Sequence, residues 1–132
     1  MKRTLAGAII LLLMASCAPK NEYTILVTAT GGPDSLIVHN NWYTSSDTLP
    51  LRDGKCTFTG TIDTFPKLVS LGFPLPAQAN TRLILEPGMI TADYTPETGF
   101  RIGGTEDNII LQKLFDEMKP YQEAVTRTWR EW

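Results

Sequence analysis

The sequence predicts a mainly β protein: an antiparallel β-sandwich or open barrel of about seven or eight short strands, followed by a C-terminal helical segment. Three observations carry that prediction. Short runs rich in Thr, Ile, Val and aromatic residues alternate in hydropathy, as strands half-buried on a core do. Clusters of Gly, Pro, Asp and Asn separate those runs at turn-like intervals. The apolar period changes from two to about 3.6 only once, at Thr105.

The elements follow in order. In Tyr23 to Ala29, the residues Tyr23, Ile25, Val27 and Ala29 share one face, the pattern of a half-buried strand. Gly31-Gly32-Pro33-Asp34 is a turn, and Ser35 to Asn40 reads as the return strand. Residues 40–46 form a loop whose Trp42 and Tyr43 lie against something. Asp53-Gly54 sits at the tip of Thr48 to Ile62 and is a favoured two-residue hairpin turn, because both central positions need positive φ. Pro50 cannot donate to a ladder, so the first strand of that hairpin is an edge, or is bulged there. Lys67 to Phe73 is a further strand and Phe73 to Asn80 a loop. Thr81 to Glu86, Pro87-Gly88 and Met89 to Tyr94 read as a second hairpin, and Gly99 to Gly103 as a last short strand.

Thr105 can cap a helix whose first turn holds Glu106 and Asp107, where the helix dipole favours acids. Leu111, Leu114, Phe115 and Met118 then recur at helical spacing. Pro120 must kink or restart the helix, because it lacks an N–H and its ring crowds the preceding turn. Val125, Trp129 and Trp132 continue the apolar stripe to the last residue with no C-cap. These three form the candidate interaction surface. The alternative is that they complete the domain's own packing, and docking on a partner is the preferred expectation.

The N-terminus carries an address. Met1-Lys2-Arg3 is basic, and Leu5 to Met14 is an apolar run too short to span a hydrocarbon core of about 30 Å. Small residues then lead directly into a cysteine, in Leu13-Met14-Ala15-Ser16-Cys17. This order resembles the lipobox of bacterial lipoproteins, in which the cysteine is acylated and becomes the new N-terminus. The expected organisation is a signal peptide over 1–16, a lipidated Cys17 and tether over 17–22, a β-rich domain over 23–104 and a helical extension over 105–132, kinked near Pro120. Two or three acyl chains would hold such a protein on a membrane without spanning it. Ala18 lacks the acidic character of inner-membrane retention signals, which favours an outer-membrane anchor facing the periplasm.

Composition narrows the function classes. The chain has 132 residues, enough for one domain and too few for two of ordinary size. Its formal charge of −2 lacks the basic footprint of a nucleic-acid binder, and losing Lys2 and Arg3 with the signal makes it more acidic. Two cysteines and one histidine are too few for a metal site of the usual kind. No cofactor motif is present: Gly31-Gly32 and Gly103-Gly104-Thr105 lack the spacing and lysine of a phosphate-binding loop and read as turns.

Several segments resemble one family. They are Asp47-Thr48 with Asp53-Gly54-Lys55-Cys56-Thr57-Phe58-Thr59-Gly60, the turn Leu85-Glu86-Pro87-Gly88, and Phe100-Arg101-Ile102-Gly103-Gly104-Thr105-Glu106-Asp107-Asn108 opening a helix. Together they resemble domain of unknown function 4369, the β-rich N-terminal domain of envelope lipoproteins in Gram-negative bacteria, over roughly residues 22 to 118. The resemblance implies a partner, since that domain commonly precedes a thioredoxin-like thiol:disulfide oxidoreductase domain of the peroxidase-related type. Cys56 stands where an aromatic is usual, Pro50 interrupts the strand before the turn, and no Cys-x-x-Cys follows. The family's redox chemistry therefore transfers to no residue of this sequence.

The remaining candidates weaken on inspection. Cys56 shares a strand face with Phe58 and Ile62, so a buried and inert thiol is expected rather than a reactive one. His39 has no second histidine and reads as a polar residue at a strand end. Glu86 with Asp93, and Asp116 with Glu117, are carboxylate pairs without any sign of a raised pKa, and are expected to be a strand end and a solvated helix side. Trp42, Tyr43 and the Phe73 to Asn80 loop could rim a ligand cleft. The leading expectation is a non-enzymatic envelope lipoprotein, anchored through Cys17, whose partner is a thioredoxin-like domain or a second copy of the chain. The alternative is the N-terminal part of a thiol:disulfide oxidoreductase whose catalytic domain is absent from this chain.

Overall fold

The computed structural model describes residues 21–39, 45–62, 67–77 and 79–132. Cys17, Trp42 and Tyr43 lie outside these residues. Among the described residues, eight strands build two four-stranded sheets: β1 Glu22–Ala29, β2 Ser35–His39, β3 Ser46–Pro50, β4 Lys55–Thr61, β5 Lys67–Gly72, β6 Asn80–Leu85, β7 Gly88–Thr95 and β8 Gly99–Gly103. Among the described residues there is one helix, α1, over Glu106–Arg130. The first sheet has the order β4-β1-β7-β8 and the second β3-β2-β5-β6, so neither closes into a barrel. The mainly β class and the C-terminal helix match the sequence expectation.

The alternation in β1 works as read. Ile25, Val27 and Ala29 are buried, and with Ile90 and Ala92 of β7 and Ile102 of β8 they form the first sheet's side of the core. Leu36, Val69, Leu71, Leu83 and Leu85 supply the other side. Each such side chain contributes about 1.5–3 kcal/mol when fully buried, so this layer dominates the stability of the fold. Phe73, Tyr94 and Phe100 close one end, with the Phe73 and Tyr94 rings edge to face at 4.7 Å between centroids.

Strand partnership differs from the sequence reading in three places. β2 does not return along β1; it pairs with β3 and β5 in the second sheet. Asp53 and Gly54 do take positive φ, 53° and 72°, but only the Arg52–Lys55 bridge closes on the turn. Beyond it β3 and β4 part, one to each sheet. Pro87-Gly88 likewise divides β6 from β7. Both tight turns are corners at which the chain changes sheet. At the first, Leu51 is buried and its N–H donates to Asp34 O, while Ala29 N–H donates to Gly54 O. At the second, Pro87 has no N–H with which to extend a ladder. The hairpins that do form are β2–β3, β5–β6 and β7–β8. Pro50 lies on β3, an edge strand, as expected.

One further departure concerns strand direction. β1 pairs antiparallel with β4 but parallel with β7, in register from Tyr23 opposite Gly88 to Ala29 opposite Tyr94. A parallel neighbour requires a crossover. Here the crossover is the chain from β2 to β6, most of which builds the second sheet.

Candidate interaction surface

The strand order leaves β8 at one edge of the first sheet and β6 at one edge of the second, and α1 packs against both. Two side-chain amides of its first two turns bind the strand edges. Asn108, fully buried, accepts a hydrogen bond from Ile84 N–H at 2.8 Å and donates through Nδ2 to Ile84 O at 2.8 Å. Its amide thus takes the place of a neighbouring strand. Gln112 accepts from Ile102 N–H at 2.8 Å on β8. Leu111 and Phe115 pack against the core from the same side. Arg101 of β8 forms a bidentate pair with Asp116, at 3.0 and 2.8 Å. The hydrogen bond from Arg101, aided by one from Gln112, lowers the Asp116 pKa below the usual carboxylate range.

The helix start is capped from outside. Thr105 is the N-cap by backbone geometry, but its hydroxyl makes no capping bond to a helix N–H; it accepts from Asn108 Nδ2 at 2.8 Å. Glu86, at the β6–β7 corner, does the capping: its Oε1 accepts from Asp107 N–H at 3.0 Å and Asn108 N–H at 3.2 Å. A carboxylate there satisfies orphan N–H groups and faces the positive end of the helix dipole. Glu86 is therefore a structural cap, while Asp93 lies exposed on β7, opposite Arg101 in register.

From residue 110 onward the helix presents a second, uncovered face. Its segments on either side of Pro120 belong to one helix. Ile110, Leu114, Met118, Tyr121, Val125, Trp129 and Trp132 are all exposed large apolar residues. At about 100° per residue the six within the helix fall inside an arc of about 100°, beside the arc that carries Leu111, Phe115 and Asn108, and Trp132 follows just past the Glu131 C-cap. Tyr121, Trp129 and Trp132 are 75%, 77% and 97% exposed. The structure thus extends the predicted surface of Val125, Trp129 and Trp132 towards the N-terminus of the helix. Of the four residues at helical spacing, Leu111 and Phe115 turn to the β domain whereas Leu114 and Met118 do not.

Other candidates are placed as follows. Cys56 is half-buried and packs on the core, and desolvation raises its thiol pKa, so the nucleophilic thiolate is disfavoured. His39 and Ser70 are opposite each other in register and, with Arg82, Phe73 and Leu75, line an open depression on the second sheet. Trp42 and Tyr43, the other half of the expected aromatic rim, lie outside the described residues. A cleft between the sheets at the β3 and β4 edges is lined by Tyr23, Val38, Asp47, Leu49, Phe58 and Lys67. Among the described residues, no cluster of three His, Cys, Asp or Glu could hold a metal ion. No described helix is long and apolar enough to cross a membrane.

Sequence reasoning missed Asn108, Gln112 and the capping role of Glu86. The only available signal was a lone Asn in the first turn after two acids, on the side of the helix that also carries Leu111 and Phe115.

A family model, domain of unknown function (DUF4369), matches residues 18–111. No curated protein and no solved structure matches the chain. The matched segment spans every described strand and the first helical turns with Glu86 and Asn108, and it stops before most of the exposed face. The chain belongs to the DUF4369 family.

Proposed function

We propose that this DUF4369 protein is a membrane-anchored bacterial envelope lipoprotein whose β domain is a non-catalytic accessory module that presents the outer face of α1 to a partner. The anchor is the set of acyl chains on Cys17, and the outer membrane facing the periplasm is its location. The observation that carries the interaction role is the continuous apolar face from Ile110 to Trp132. Large contiguous apolar patches are rare on finished monomers and mark binding sites. Aromatic residues are prominent among interface anchors, and this face holds three.

The site chemistry agrees with a non-catalytic reading. Burial disfavours the thiolate of the one described cysteine, Glu86 serves as a helix cap and Asp116 as an ion-pair partner. Deleting residues 120–132 from the full chain tests the role of the face. No residue of 120–132 packs against the core, so the melting temperature should move by only a few degrees. A fall of about 10 °C or more, measured at a concentration where the intact chain is monomeric, would make the segment part of the domain's own core and end the proposal. The second reading, the N-terminal part of a thiol:disulfide oxidoreductase, rests on the usual neighbour of this family; a reading frame continuing past Trp132 into a Cys-x-x-Cys motif would favour it.

A further inference from the structure

Building on the reading of α1 as an interaction surface, we propose that its occupant is the same face of a second copy of this chain, packed antiparallel about a two-fold axis near Tyr121. An isologous contact must be self-complementary, and this face is. With Tyr121 opposite its own counterpart, Met118 meets Val125 of the other copy, Leu114 meets Trp129, and Ile110 meets Trp132. Every exposed apolar residue of the stripe then has an apolar partner, with the bulky aromatic end of one helix on the slimmer aliphatic end of the other. Leu114, Met118, Tyr121, Val125, Thr128 and Trp132 also follow the alternating three-and-four spacing of a helix-to-helix seam.

Charge and area agree with this occupant. The flanks of the seam hold Glu117, Gln122 and Ala124, and the antiparallel register sets Glu117 against Ala124 and Gln122 against its own copy, so no like charges face each other. The antiparallel arrangement also sets the two helix dipoles in opposition. Aromatic side chains of this size carry about 150–250 Å² each, so the three exposed ones offer roughly 500 Å². The four half-exposed aliphatic residues raise the face to about 800 Å², what one partner of a standard stable interface buries.

Single cysteines in the full chain, with Cys56→Ser as background, test both partner and direction. Ile110 lies about 30 Å, at 1.5 Å per residue, from the end of the helix that Trp132 follows, whereas a disulfide needs Cα atoms within about 7 Å. Tyr121→Cys should give a disulfide-linked dimer on oxidation, at least tenfold above the background chain. Ile110→Cys alone and Trp132→Cys alone should not link, while the two co-expressed should. Linking of Ile110→Cys to itself would mean a parallel pair and overturn the proposal. Absence of a Tyr121→Cys dimer would also overturn it. In that case a cross-link from position 121 to a different protein would leave the interaction role standing, and the absence of any cross-link would remove both.

Discussion

Removing the Asn108 amide should destabilise the fold more than any other polar substitution on α1. In the Asn108→Ala variant, Ile84 N–H and Ile84 O both lose partners now held at 2.8 Å. Each unpaired buried group costs about 1–3 kcal/mol, and the Thr105 hydroxyl and the Glu86 carboxylate lose Nδ2 as well. Allowing water to reach the more open side, the expected loss is about 2–4 kcal/mol. For a domain of this size that lowers the melting temperature by roughly 10–20 °C. Urea unfolding should show the midpoint falling at nearly constant slope. Asn108→Leu separates hydrogen bonding from volume: it fills the space but leaves the strand edge unpaired, and should stay within about 1 kcal/mol of the alanine variant. Native stability in Asn108→Leu would refute the strand-edge argument, and the burial of this residue would then be a matter of packing alone.

Two further outcomes follow from other residues. Cys17→Ser should abolish incorporation of a labelled fatty acid and release the protein from membrane pellets; labelling that persists would remove the anchor. Cys56, desolvated and packed on the core, should react with a thiol reagent at least tenfold more slowly in the folded protein than in denaturant, and the protein should not reduce insulin disulfides. Reaction at equal rates in both states would show that burial does not protect it.

The sequence reading and the structure diverge along a physical line. The inward face of β1, the positive φ at Asp53 and Gly54, and the position at which α1 begins are legible from a residue and its near neighbours, although the Glu86 cap on that helix is not. Sheet partnership is not local. Turn chemistry at Asp53-Gly54 or Pro87-Gly88 reverses the chain but does not oblige the flanking strands to pair, so the two sheets could not be assigned from turns. The parallel pairing of β1 with β7 joins segments on opposite sides of the whole second sheet and leaves no mark in either strand.

The same reasoning applies to the helix. Periodicity locates an apolar stripe on α1 but does not say which part of a wide stripe meets the core. Leu111 and Phe115 are covered while Leu114 and Met118 are not, because the β6 and β8 edges approach from one side only. Glu86 and Asn108 read as ordinary polar residues, since their partners lie more than twenty positions away in the chain.

The central claim is that the outer face of α1, and not its flank, is engaged in the cell. Site-specific photo-cross-linking on the full chain in living cells tests it most directly, with a photoreactive phenylalanine at Tyr121 or Val125 on the face and at Glu123 or Arg127 away from it. The account predicts a discrete adduct from positions 121 and 125 and none from 123 and 127. Equal adducts from all four positions, or none from 121 and 125, would contradict it.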